Sequence, residues 1–163
     1  AEGLVSRYPS RGTVVSEITP YDVEEIFTLR IALEVLALQL AWGKIPEDEL
    51  SNIEESFLKL NEHSTKEELH HADKSLHALI IERAGNRRLK QILNQLNSQI
   101  ERFRRVAALE PSRMSRSKEE HLEIIQLIRK KDLQGCQESL KKHLLNVKQS
   151  TLEAAKLLAL KTN

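Results

Sequence analysis

From residue 21 to residue 160, apolar residues recur at the three- and four-residue spacing of an α-helix. One such stripe consists of Ile26, Leu29, Leu33, Leu36 and Leu40. Only 5 glycines and 4 prolines interrupt 163 residues, so positions that break a helix are few. The pattern therefore predicts an all-α fold, and the length is sufficient for one domain with a substantial core.

Capping signals divide this pattern into about six helices joined by short loops. The predicted helices begin at or just after Tyr21, Pro46, Thr65, Asn86, Ser117 and Asp132. Thr65 and Ser117 are each followed three residues later by a Glu, which matches the capping box at the start of a helix. The first helix is predicted to end at Trp42 and the second at about His63. We expect an antiparallel bundle.

Residues 1–18 have a different pattern. Residues 3–7 and 13–15 resemble two short strands around a turn-like segment at 8–12, which predicts a β-hairpin. Arg7 and Arg11 on such a hairpin could contact phosphates, although two solvated arginines on a tail are an equally good interpretation.

Composition sets limits on partners and compartment. The net charge is +1, which gives no global reason to expect binding to nucleic acid or to an anionic membrane. No apolar run approaches the roughly 20 residues that span a bilayer, and no signal peptide opens the chain. Cys136 is the single cysteine and so cannot form an internal disulfide. These features predict a soluble cytoplasmic protein without a membrane partner.

Four residues could form a metal site. Asp73 and His77 are four residues apart, so on a helix they lie about 40° apart on one face. His121 and His143 stand among apolar residues of two other predicted helices and point inward. One carboxylate and three imidazoles can hold a divalent cation. Each histidine could equally be a hydrogen-bonded core residue, and His70, on the face of Asp73, could replace His121 or His143 as a ligand.

Two groups of arginines could bind an anionic ligand. Arg30 interrupts the apolar first helix, where it could pair with Glu34 or bind an anion inside a cavity. A second group surrounds the end of the fourth helix, where arginines are normally solvated, although an inward-facing member could bind an anionic ligand. This group consists of Arg102, Arg104, Arg105, Arg113 and Arg116.

The order and spacing of these motifs resemble those of a known family. The residues that carry the resemblance are Asp22, Arg30, Leu33, Glu34, Asp73–His77, Ala84–Leu89, Glu120, His121, Ile124, Asp132, His143 and Leu144. Together they resemble the C-terminal effector domain of GntR-type transcriptional regulators, the FadR-like FCD domain, over nearly the whole chain. Glu2–Val5 and Arg11–Val15 resemble the last residues and the wing of the winged helix-turn-helix that precedes this domain in the family.

The resemblance implies a helical bundle that binds a small metabolite, usually a carboxylate, in an internal cavity. In the metal-binding branch of the family, one Asp and three His hold a divalent cation, and these positions fall on Asp73, His77, His121 and His143. Zinc is the expected ion, and the same ligand set also suits nickel, manganese or iron. The fatty acyl-binding branch has seven helices. The roughly six helices predicted for this chain therefore agree better with the metal-binding branch.

The resemblance also implies residues that contact the metabolite. They are Arg30, either Arg102 or Arg104, and Asn146, which lies one turn beyond His143. Residues 1–18 would be a remnant wing and linker, with Arg7 and Arg11 as remnant DNA contacts, and residues 19–163 the effector domain. A winged helix reads operator DNA as a dimer, so the expectation is a homodimeric, metabolite-responsive regulator whose DNA-reading part is largely missing from this sequence.

Two other functions remain open from the sequence. An open divalent cation could activate water in a hydrolase-like metalloenzyme, with Glu82 or Glu120 as a general base. The bundle could also be a dimerisation module that binds no ligand, with its histidines in the core. The interpretation that we favour is a sensor and not an enzyme.

Overall fold

The computed structural model describes residues 5–8, 12–15, 19–61, 63–107 and 111–161. Within these ranges the chain forms six helices after a short hairpin, which confirms the predicted all-α class. The helices are α1 (Pro20–Ala41), α2 (Glu47–Lys59), α3 (Lys66–Arg83), α4 (Arg87–Ala107), α5 (Pro111–Arg129) and α6 (Leu133–Lys161).

Four of the described helices begin with side-chain caps, one of which is on α4, where Asn86 Oδ1 accepts from the Leu89 N–H at 3.1 Å. The Thr19 hydroxyl accepts from the Asp22 N–H, and the Asp22 carboxylate accepts from the Thr19 N–H, which closes a capping box on α1. Thr65 forms the predicted capping box on α3. The Asp132 carboxylate accepts from the Gly135 N–H at 2.9 Å and caps α6 as predicted. These bonds satisfy backbone donors that the first helical turn leaves unpaired.

Two predicted boundaries were wrong. The second helix ends at Lys59 and not near His63, because Leu60 adopts extended backbone dihedrals. The fifth helix begins at Pro111, six residues before the predicted capping box at Ser117. Proline fits the first turn of a helix because it lacks the N–H that would go unpaired there. Ser117 therefore lies inside α5, where it is buried and its hydroxyl donates to Asp73 Oδ1 at 3.3 Å.

The core consists of two clusters of buried side chains. The larger one includes Leu38, Phe57, Leu76, Ile124 and Leu140 from five helices. The smaller one joins the first half of α1 to α4 and α6. Helix α6 packs against α1, α4 and α5, while α3 packs against α1, α2 and α5. None of the helices in the described ranges combines the length and the apolar character needed to cross a bilayer.

The hairpin precedes the bundle. Strands β1 (Val5–Tyr8) and β2 (Gly12–Val15) pair antiparallel, with Val5 opposite Val15. Arg7 lies in β1, but its side chain and all of Arg11 fall outside the described residues. Their contact with DNA, and the domain boundary at residue 18, stay predictions.

Candidate metal centre

Three helices bring four buried side chains to one point. Helix α3 supplies Asp73 and His77, α5 supplies His121, and α6 supplies His143. All four are buried, and one donor atom from each lies within 4.8 Å of the others. His77 Nε2 is 3.2 Å from His121 Nε2 and 3.3 Å from His143 Nε2. Metal–nitrogen bonds of about 2.0–2.1 Å would hold neighbouring nitrogens about 2.9 Å apart in octahedral geometry and about 3.4 Å apart in tetrahedral geometry, so both measured distances lie within this range.

The opposite nitrogen of each ring has a hydrogen-bond acceptor. His77 Nδ1 donates to Glu34 Oε2 at 2.5 Å, and His143 Nδ1 donates to Glu120 Oε2 at 2.7 Å. His121 Nδ1 donates to the Ser117 carbonyl at 2.6 Å. These acceptors place the protons on Nδ1, so three Nε2 lone pairs converge on the Asp73 carboxylate. Converging lone pairs repel one another unless a cation lies between them, so the donor set fits a divalent metal ion.

Burial of the cluster lowers the pKa values of two of its histidines. Burial lowers the pKa of His121, and the neighbouring His143 lowers it further. Burial likewise lowers the pKa of His143, although its bond to Glu120 opposes the shift. Both rings are therefore neutral near pH 7, which is the protonation state in which imidazole binds a metal.

The two carboxylates that hold the histidines are kept ionised. Burial alone would raise the pKa of Glu34, but the charge of Arg30 and the hydrogen bonds from His77 and Arg30 outweigh it and lower that pKa well below its usual range. Burial would also raise the pKa of Glu120, yet the hydrogen bonds from His143 and Asn146 and the charge of Arg113 lower it to about 2. The ionised carboxylates make the imidazoles more basic and fix their orientation.

The lowered histidine pKa values predict a pH dependence of stability. A histidine whose pKa is depressed in the folded state binds a proton more readily when unfolded. The stability that His121 and His143 contribute is then complete above their ordinary value of 6.5 and is lost as pH falls through their folded-state pKa values. We expect the free energy of unfolding of the metal-free protein, measured with urea, to fall between about pH 7 and pH 5. His121→Asn should flatten this slope, whereas exchange of the exposed His71 for Gln should leave it unchanged; a slope independent of His121 would contradict the assignment.

Arg30 lies behind the cluster on α1. It is 1% exposed, its Nε donates to Glu34 Oε1 at 2.6 Å, and its guanidinium lies over the Phe27 ring at 5.4 Å. The pairing with Glu34 that the sequence indicated is therefore present. Because Glu34 also accepts from His77, a continuous chain of bonds joins Arg30 on α1 to the cluster.

A cavity of about 420 Å³ adjoins this chain of bonds. Its wall includes Arg30 and His77, and it extends along α3 and α4. The volume falls within the range of about 300–1,000 Å³ that is typical of small-molecule sites. The cavity is therefore large enough to hold a small metabolite next to a metal ligand.

Residues 25–146 match the sequence model of the FCD domain. This chain belongs to the FCD family. The FCD domain is a domain of GntR-family transcriptional regulators. The comparisons thus place the chain with regulators and not with enzymes, as the sequence predicted.

Individual relatives agree with this assignment. The HTH-type transcriptional regulator YdhC of Bacillus subtilis (strain 168) is 28% identical over 148 residues, which cover 88% of this chain and 64% of YdhC. This FCD chain thus spans less than two thirds of the length of that relative. The metal-free FCD domain of TM0439 is 26% identical with a TM-score of 0.78, covering 87% of this chain and 99% of that one. The Zn²⁺-bound form of that domain is 27% identical to this chain, with a TM-score of 0.73. The match covers 85% of this chain and 96% of that one.

Other residues singled out in the sequence lie in different places. His70 pairs with Glu101 at 2.7 Å and is not part of the four-residue cluster, so the structure does not support it as a rival ligand. Asn146 is exposed, and its amide donates to Glu120 Oε1 at 2.8 Å, so it touches the carboxylate that holds His143. Arg102 and Arg104 belong to α4, but their side chains lie outside the described residues. Their roles as metabolite contacts stay predictions.

Several residues of the site were not predicted from the sequence in their actual roles. Glu120 was considered only as a general base, yet it holds His143 and accepts from Arg113 Nη2 at 2.9 Å. Glu82, the other candidate base, is exposed and pairs with Lys90. Phe57 of α2 stacks on His121 with ring centroids 4.7 Å apart. No local spacing indicates the contacts of Glu120 with His143 and of Phe57 with His121, because each joins two separate helices. Arg113 and Glu120 lie two turns apart on α5.

Proposed function

We propose that this FCD domain is the sensing part of a metabolite-responsive transcriptional regulator, and that it binds a small carboxylate through a divalent metal. The observation that carries the proposal is the convergence of Asp73, His77, His121 and His143, all buried and with each ring fixed through Nδ1. Such convergence costs stability without a cation, because desolvated lone pairs face one another. A site of this kind is therefore expected to bind metal.

Zinc is the ion that we propose. Three imidazole nitrogens and one carboxylate oxygen are common zinc ligands, and nickel, manganese and iron accept the same set. The FCD domain of TM0439 has been solved with Zn²⁺ bound. Four protein ligands leave an octahedral ion with open positions, which a carboxylate can fill when the metal is bound.

Arginine contacts would complete the metabolite site. Arg30 lines the cavity that His77 also lines, so its guanidinium can neutralise and orient a bound carboxylate. Arg102 or Arg104, together with Asn146, remain the further contacts that we propose from the resemblance.

Ligand binding would be transmitted through the helices. The metal site joins α3, α5 and α6, and Glu34 links it to α1, so a bound ligand can bias how four helices pack. We propose that a homodimer carries two winged-helix domains, that the hairpin of β1 and β2 belongs to such a domain, and that the spacing of the two domains on operator DNA responds to this packing. Such a regulator would work in the cytoplasm.

The test uses zinc-loaded protein and a panel of small carboxylates. We expect at least one of them to raise the melting temperature of the zinc-loaded protein and not that of the metal-free protein, because it binds the folded state through the metal. Arg30→Lys should weaken carboxylate binding by about 10-fold while zinc stays bound, since lysine keeps the charge but loses the planar fork. Lys44→Arg, on an exposed loop, is the matched control. Failure of every carboxylate to bind would favour a dimerisation module over a sensor.

A further inference from the structure

The Glu120 carboxylate lies between a buried arginine and one histidine of the metal centre. Its Oε2 atom accepts from His143 Nδ1 at 2.7 Å and from Arg113 Nη2 at 2.9 Å. Its Oε1 atom accepts from the Asn146 amide at 2.8 Å. The side chain of Glu120 is 15% exposed and that of Arg113 is 7% exposed. One carboxylate oxygen thus joins a guanidinium of α5 to an imidazole of α6.

The early start of α5 brings Arg113 to this carboxylate. The helix begins at Pro111, so Arg113 lies in its first turn. Arg113 and Glu120 are seven residues apart, which is two helical turns less about 20°, so their side chains share one face of α5. A helix that began at Ser117 would leave Arg113 in the preceding loop. The additional turns of α5 therefore bring a cation to the metal centre.

Arg113 offsets the cost of burying a charge on Glu120. Burial raises the pKa of Glu120, and the charge of Arg113 is among the causes that lower it. Arg113 Nη1 is also buried, and it has no hydrogen bond to an atom of the described ranges. A buried guanidinium with an unpaired donor costs stability. Stability alone therefore does not explain why Arg113 is buried here, whereas its bond to Glu120 does.

The same arrangement occurs at His77. Glu34 accepts from His77 Nδ1 and from Arg30 Nε, so a buried arginine contacts the carboxylate that orients this ring as well. The acceptor of His121 Nδ1 is instead the Ser117 carbonyl, which the backbone of α5 keeps in place. The two arginines thus contact the two acceptors that belong to side chains, and a side-chain carboxylate can turn away from its histidine.

We propose that Arg113 is a positioning residue of the metal centre, which holds the Glu120 carboxylate so that the His143 ring presents Nε2 to the ion. The inference rests on the proposed function for the ion, although the orientation of the ring can be measured without metal. Without Arg113, Glu120 would keep its bond to the exposed Asn146 and could turn towards water. His143 Nδ1 would then lose its acceptor.

The first test compares the zinc affinities of single variants by competition with a chromogenic chelator. Arg113→Met, which removes the charge but keeps an extended side chain, is expected to lower zinc affinity by about 10-fold, the lower end of the usual effect of groups that orient metal ligands. Arg113→Lys should recover most of this loss, because it keeps a cation that can hold Glu120.

Arg129→Met is the matched control. It removes another arginine of α5, one that bonds Glu47 and Glu54 of α2, and it should leave zinc affinity unchanged even if the protein becomes less stable. An unchanged zinc affinity in Arg113→Met would overturn the inference, and so would an equal loss in Arg129→Met.

A double variant shows whether Arg113 acts through Glu120. In a Glu120→Ala background no carboxylate remains to be held, so the addition of Arg113→Met should cause no further loss of zinc affinity. Circular dichroism checks that both variants keep their helices. A loss as large as in the Glu120 background would show that Arg113 does not act through this carboxylate.

NMR of the metal-free protein gives a readout that does not depend on zinc. Ring nitrogen chemical shifts at about pH 8, where an ordinary imidazole is neutral, show which nitrogen carries the proton. We expect the proton of His143 on Nδ1 in the unchanged protein and partly on Nε2 in Arg113→Met, while His121 keeps its shifts in both. If the unchanged protein bound no zinc, the metal part of the proposed function would fail, and these shifts would still test Arg113. Identical His143 shifts in the two proteins would overturn the inference even if zinc bound.

Discussion

Replacing His77 with Ala is expected to lower the affinity for zinc by about 100-fold. Zinc held by four protein ligands gains roughly 10–16 kcal/mol, so one ligand contributes about 3 kcal/mol, which corresponds to about 100-fold in affinity. His77 should show at least this effect, because its ring contacts both other histidines of the cluster and is oriented by Glu34. Competition against a chromogenic chelator measures the affinity.

His71→Ala is the matched control, because His71 belongs to the same helix but is exposed. Its affinity for zinc should equal that of the unchanged protein. Circular dichroism checks that both variants keep their helices. If His77→Ala and His71→Ala bound zinc equally well, His77 would not be a ligand.

Replacing Glu34 with Ala is expected to lower the free energy of unfolding by about 3–5 kcal/mol, which is the typical cost of leaving a buried charge without its partner. The side chains of Glu34 and Arg30 are 2% and 1% exposed, so the Arg30 charge would stay buried after the substitution. At about 2–4 °C per kcal/mol for a chain of this size, the melting temperature should fall by about 6–20 °C. Urea denaturation of the metal-free protein measures the loss.

The same substitution removes the acceptor of His77 Nδ1, so zinc affinity should also fall by about 10–100-fold. Glu25→Ala, at an exposed position of α1, should change stability by less than about 0.5 kcal/mol. The double variant Arg30→Met with Glu34→Ala should recover part of the stability, because it removes the unpaired charge as well. A stability loss no larger than that of Glu25→Ala would contradict the buried network.

The fold was predictable because its signals are local. Helical spacing, the capping box at Thr65 and the cap at Asp132 each involve residues within one turn of one another, and all are present in the structure. Asp73 and His77 could also be chosen as candidate ligands from the sequence, because they lie about one turn apart on α3. The wrong start of α5 also has a local cause, since Ser117 and Glu120 satisfy the capping pattern but lie inside a helix that Pro111 begins.

The arrangement around the metal site was not predictable in this way. Glu34 and His77 are 43 positions apart, and Glu120 and His143 are 23 apart, so only the packing of the helices brings each pair together. The two inward histidines could be chosen because they stood among apolar residues. The carboxylates that hold His77 and His143 could not be chosen, because a buried Glu and a solvated Glu look alike in a sequence.

We expect this domain to hold a divalent metal on Asp73, His77, His121 and His143. The most direct test of this expectation is the metal content of the purified protein, together with the melting temperature before and after treatment with a chelator. We expect about one divalent ion per chain and a clear fall in melting temperature on its removal, because a ligand that binds only the folded state stabilises it. Absence of metal, with no rise in melting temperature when zinc, nickel or manganese is added, would show that these four residues do not hold a metal ion.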